Sequence, residues 1–171
     1  MKSKRNPGAA LTVPNEIATL LQAIDEGYER KAWHGPNLKG SIRGISAETA
    51  SWRPRPDRHS IVDNVVHAAY WKYAVRRRLT GEKRGSFPLK GSNWFKLPAP
   101  LSESTWKQFV ALLDAEHHNL RKAVASFPAE RLRLVAQGGK VSYLYVILGI
   151  AMHDVYHAGQ IQLLKRLQLA I

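Results

Sequence analysis

The segment "MHDVYHAGQI", residues 152–161, places two histidines four apart inside a stretch of otherwise apolar character. "VSYLYVILGIA" before it carries no charge, and "LLKRLQLAI" after it is apolar apart from one basic pair. On an α-helix, residues four apart lie about 6 Å apart along the axis and on nearly the same face. His153 and His157 therefore point the same way, on a stripe shared with Val146, Ile150, Ile161 and Leu164. That stripe is the predicted buried face. A lone histidine there would be read as a hydrogen-bonded core residue, but two buried imidazoles need partners for four nitrogens. A shared divalent metal meets one such need on each ring, and a helical pair of this spacing is a known zinc-binding device.

A pair needs a third ligand from another element. His67, in "NVVHAAYW", is the best candidate, with the small Ala68 and Ala69 beside it to let helices approach. Three histidines with positions left for water or substrate form the pattern of a reactive metal site, not a closed structural one. His117 continues an apolar stripe and is a weaker candidate, His118 is expected in solvent, and His59 is expected just ahead of a helix. Asp154 and Gln160 are candidates to orient a ligand from behind, because metal-bound imidazoles donate their other N–H to an oxygen. Asp154 reads equally well as a helix-surface charge. His34, Asn37, Arg43 and Trp71 are candidate substrate contacts, and Arg43, Lys90 and Lys96 could draw in an anionic thiol. "HDVYH" also echoes the H-E-x-x-H of zinc proteases, but aspartate is one methylene short and no third ligand follows at a matching distance.

The elements that must hold these residues read as helices. Ile17, Leu20, Leu21, Ile24 and Tyr28 recur at helical steps, with Thr12 as cap, Pro14 in the first turn, and Glu16, Asp25, Glu26 and Glu29 on the polar face. Ser60 and Asp63 form a capping-box pattern at the start of a second helix that Gly81 ends. A third runs from about Ser102 to Ser126, with Trp106, Phe109, Leu113, Leu120 and Val124 on one stripe; the last starts near Val141. "WHGPNLKGSIRGISAETASWRPRPDRH" is a long connection with one helical turn at "SAETA". "EKRGSFPLKGSNWFKLP" is a loop whose aromatics should pack over something. Tyr70, Trp71, Tyr143, Tyr145 and Tyr156 are expected in the core. Four amphipathic helices with crossover loops predict an all-α four-helix bundle, as one domain over residues 1–171 with a flexible basic tail over 1–12.

Composition bounds the rest. No cysteine is present, which removes disulfides, thiolate nucleophiles and Cys-type zinc sites and suits a cytoplasmic location. The basic N-terminus lacks a following apolar segment, and "LYVILGIAM" is far short of the roughly 20 apolar residues of a membrane span. Lys+Arg 26 against Asp+Glu 13 gives a net charge of +13, which leaves open a binding module for nucleic acid or an acidic partner. The cations are scattered, and no nucleic-acid motif accompanies them.

"WRPRPDRHSIVDNVVHAAYW" and "HDVYHAGQI" together resemble the DinB-like (YfiT-like) metalloenzyme superfamily. The first is similar to its W-x-P entry into the second helix and first metal histidine, the second to its last-helix signature. The resemblance extends from Ile17 to Leu169. It implies a four-helix bundle in which His67, His153 and His157 hold one divalent ion, zinc or nickel, with water completing the coordination. It further implies an enzyme acting on a small-molecule substrate, with a low-molecular-weight thiol as a possible co-substrate, and a homodimer. Characterised members include bacillithiol- and mycothiol-dependent transferases and a mycothiol-dependent maleylpyruvate isomerase. The "WHGPNLKGSIRG" and "KRGSFPLKGSNWF" insertions depart from the simplest members and are expected to reshape the pocket.

Overall fold

The computed structural model describes residues 15–136 and 138–169. The expected tail over 1–12, Thr12 and Pro14 lie outside the described residues. Among the described residues six α-helices form: α1 (Glu16–Tyr28), α2 (Leu38–Ser41), α3 (Ala47–Ser51), α4 (Ile61–Thr80), α5 (Glu103–Ala125) and α6 (Tyr143–Leu169). Among the described residues no strand forms, only isolated bridges at Ala32–Gly35 and Val135–Ser142. The four long helices close a ring in which α4 packs on α5, α5 on α1, α1 on α6 and α6 on α4. This is the predicted all-α bundle.

The helix ends follow the chemistry of their residues. Ser60 and Asp63 make a full capping box on α4, and Gly81 closes it in the left-handed conformation at φ 77°. Ser102 caps α5 by accepting from the Thr105 amide. At α1 the cap is Asn15, whose side chain accepts from the Ile17 amide at 2.9 Å. Gly27 lies where α1 meets α6; a Cβ there would come within 2.8 Å of the Ala151 carbonyl. Asp25, expected on the polar face of α1, is instead buried and accepts hydrogen bonds from Arg121 Nε and Nη2, at 2.7 and 3.1 Å.

The first long connection folds more than expected. Its α2 and α3 place Leu38, Ile42, Ala47 and Ala50 in the core and pack on α6 and α4. The second stays irregular but is pinned by rings, Phe87 and Phe95 each lying 5.4 Å from Tyr70. Such edge-on aromatic contacts hold a loop in place without backbone ladders. On α6 the expected apolar stripe is buried, but Tyr145 and Tyr156 are not core residues. They are 68% and 62% exposed, because they fall on the side of α6 that no other helix covers.

Candidate metal centre

α4 and α6 run antiparallel, which brings His67 from one against His153 and His157 from the other. The small Ala68 and Ala69 beside His67 are fully buried. His153 Nε2 lies 3.2 Å from His67 Nε2 and 3.0 Å from His157 Nε2. All three rings offer a nitrogen within 4.8 Å of one another. Two nitrogens on a tetrahedral zinc would stand about 3.3 Å apart, given Zn–N bonds of 2.0–2.1 Å.

The opposite ring nitrogens decide what the cluster can do. His67 Nδ1 lies 3.0 Å from the Asn93 carbonyl oxygen, which can only accept, so Nδ1 carries the hydrogen. His157 Nδ1 lies 2.8 Å from Asn64 Oδ1 and 2.7 Å from Gln160 Oε1. Asn64 donates its amide to the Ser60 carbonyl at 2.8 Å, which fixes its oxygen toward His157. Both rings are thus held with Nδ1 protonated and a bare lone pair on Nε2. His153 can donate from Nε2 to one of those lone pairs, never both. At least one lone pair in a buried cluster is left facing another nitrogen.

Extra protons do not solve this. Burial, reinforced by the neighbouring imidazoles, pushes His153 down to about 3. Burial likewise lowers His157 to about 4, and it lowers His67 despite the opposing Asn93 hydrogen bond. The rings are neutral at pH 7, the form that binds metal. A cation at the centre is the one addition that satisfies all three lone pairs, so the residues present fit a divalent ion.

The surroundings include residues that the sequence did not single out. Trp94 stacks on His67 with centroids 3.8 Å apart, and on His59 at 3.5 Å. Asn93, at φ 63°, is of a type that tolerates the left-handed region. It gives its carbonyl to His67 and its side-chain oxygen to the Trp71 indole N–H at 3.0 Å. Asn64 is three residues before His67 on the same helix, a spacing legible in advance. Asn93 and Trp94 sit in the loop, where only their aromatic and turn character hinted at a packed role.

Other candidates lie elsewhere. Asp154 neither orients a ligand ring nor sits on the surface: it is fully buried and ion-paired to Lys72 of α4. Asn37 spends its side chain capping α2 and donating to the Arg30 carbonyl. Asn37 and Arg43 line a different cavity of about 620 Å³, which also involves Lys39, Trp106 and Asp114 but none of the three histidines. His34 is exposed. His117 is buried against Tyr28, ring centroids 3.9 Å apart, outside the cluster. Of the substrate candidates only Trp71 is at the site, its ring 6.5 Å from His153.

A family model described as the DinB superfamily matches residues 32–161, which takes in all three histidines. The chain belongs to the DinB superfamily. No curated protein and no solved structure matches it. The family match begins after α1, a shorter span than the motif resemblance suggested. Among the described residues no helix is long and apolar enough to cross a membrane.

Proposed function

We propose that this DinB-superfamily chain is a metal-dependent enzyme in which His67, His153 and His157 hold one divalent ion, zinc or nickel. The observation that carries this reading is the fixed protonation of His67 and His157, which aims two bare lone pairs at His153. When bound, the ion supplies Lewis acidity, bringing a water or a low-molecular-weight thiol toward its anionic form for attack on a small electrophile. The chain's own residues set the stage. Asn93, Asn64 and Gln160 hold the Nδ1 hydrogens, orienting the rings and raising their basicity. Trp94 covers His67 and limits water there. The reaction is thiol transfer or hydrolysis, in the cytoplasm.

A second copy would cover the apolar strip Met152, Tyr156, Leu163 and Leu167 on α6, giving a homodimer. The competing reading, a non-catalytic basic module for nucleic acid, draws on net charge alone. Ion pairs such as Arg121–Asp25, Arg76–Glu116 and Lys72–Asp154 hold some of the cations in place but leave the net charge unchanged, and no nucleic-acid motif accompanies it.

Elemental analysis of protein purified without chelators, beside His157→Ala, tests the metal. The expected result is near-stoichiometric zinc or nickel in the parent and little in the variant. Absence of metal in both, after zinc addition and dialysis, rejects the ligand set. A screen of thiols against electrophiles on the loaded protein then separates transfer from hydrolysis.

A further inference from the structure

α6 carries Gly149 in its interior, where glycine is the poorest choice short of proline. No backbone or packing need explains it: a Cβ at Gly149 would meet nothing within 4 Å. What it opens is a groove of about 220 Å³ between α4 and α6. Buried Val75 and Ile150 form its apolar base, and the partly exposed Trp71 and the exposed Tyr145 flank it. His153 lines one end of it, so the groove reaches one of the three histidines, while His67 and His157 stand outside its lining. In the antiparallel register Trp71 stands beside His153, and Arg78 follows seven residues later on α4, about 10 Å along the axis. Among the described residues Arg78 forms none of the ion pairs, unlike Arg76 two residues before it, which meets Glu82 and Glu116.

We infer that this groove is the substrate site of the proposed enzyme, and that its substrate is a ring-sized apolar body with an anionic end. The anion pairs with Arg78, and the opposite end of the molecule lies at His153. The volume sets the size, since a cavity of about 150 Å³ holds a benzene molecule and this one admits a ring with a short chain. Gly149 supplies the space the body fills. This assignment rests on the histidine cluster being the reaction centre, but the groove itself needs no metal to bind.

The probe is 4-fluorocinnamate, followed by ¹⁹F relaxation on the full chain, both chelator-treated and zinc-loaded. Saturable binding to the parent is expected, weakened at least fivefold by Arg78→Gln, restored in part by Arg78→Lys, and abolished by Gly149→Leu. The neutral 4-fluorocinnamamide should bind weakly and equally to parent and Arg78→Gln. Gly149→Leu should melt no lower than the parent, since the position is open and leucine favours helix. Binding unaffected by either substitution overturns the site. So does Gly149→Leu converting a dimer to monomer without the parent binding the probe, which would make the groove part of the subunit contact. Zinc uptake without probe binding rejects the groove alone; probe binding without zinc uptake rejects only the metal reading.

Discussion

One turn of α6 faces two different polar environments. On one side His153 and His157 meet His67; on the other, Asp154 meets Lys72, with Tyr28 and His117 packed beside them. Both groups are buried in the same helix bundle, yet their balance of charge differs. The Lys72 ammonium closes onto Asp154 and lies 4.8 Å from the Tyr28 ring centre, so positive and negative charge cancel inside the core. Burial raises the Asp154 carboxyl, and the Lys72 charge opposes that rise. The histidine side has no such partner. The outer nitrogens of His67 and His157 are occupied, His153 Nδ1 is buried without a hydrogen-bond partner, and the inner nitrogens converge on one another. Opposite charges that meet in the core tie helices together, even with Asp154 Oδ1 and the His117 nitrogens left without hydrogen-bond partners, whereas a cluster short of a positive charge is built to receive it.

The largest effect should come from unbalancing the closed side. Lys72→Met leaves Asp154 alone in the bundle and should cost about 3–5 kcal/mol in urea unfolding, the usual cost of stripping a buried pair of one partner. The double variant Lys72→Met/Asp154→Leu should recover most of that loss, and the folded fraction should still bind one metal. A cost under about 1 kcal/mol for the single variant, against that 3–5 expectation, would erase the contrast between the two sides.

The open side should respond in affinity. Asn64→Ala with Gln160→Ala removes both acceptors from His157 Nδ1 and should weaken zinc binding about 10–100-fold, the range typical for the outer partners of metal-bound histidines. Each single change should do less, because the other oxygen still holds the hydrogen. Competition titration against a zinc chelator reads this directly.

Acidification sharpens the same distinction. His153 and His157 accept protons near 6.5 when unfolded but only near 3 and 4 when folded. The unfolded chain therefore binds more protons between those values, and stability of the metal-free protein should be level above about pH 6.5 and fall as pH drops toward 4. Bound zinc should stabilise the fold, most strongly at neutral pH, and weaken as protons compete for the nitrogens. His157→Ala should flatten part of the acid slope in urea titrations; an unchanged slope would detach the cluster from it. His117, held down to about 2 chiefly by burial and then by the Lys72 charge, supplies acid sensitivity that survives in that variant.

The smallest effect belongs to the loop. Trp94→Ala should reduce stability by about 0.5–1.5 kcal/mol, the usual worth of a stacked aromatic pair, and should speed zinc release measured by stopped-flow with a chelator.

Much of this was written in local pattern. The capping box at Ser60 and Asp63, the stop at Gly81 and the stripe through Trp106, Leu113 and Leu120 each follow from interactions within a turn or two of helix. The same holds for His153 and His157, whose common direction is a property of helical pitch. The misreadings share a cause. Tyr145 and Tyr156 were expected inside because they are large and aromatic, but only neighbouring helices determine which arc of α6 is covered. Asp25 reads from the sequence as a polar-face residue, and Asp154 as either a support for a ligand histidine or a surface charge; both are buried instead, because their cationic partners stand on α5 and α4.

Sequence by itself therefore determined the helices, their ends, the histidine pair and the candidate third ligand, since each is a short-range consequence of residue type and spacing. Tertiary structure decided which nitrogens face one another. Asn93 lies 26 residues from the histidine it holds, and Asn64 lies 93 from His157. The protonation state that makes this cluster receptive to a cation rests on hydrogen bonds across those separations, which no periodicity in the chain encodes, and to which Gln160, three residues from His157, adds a local one.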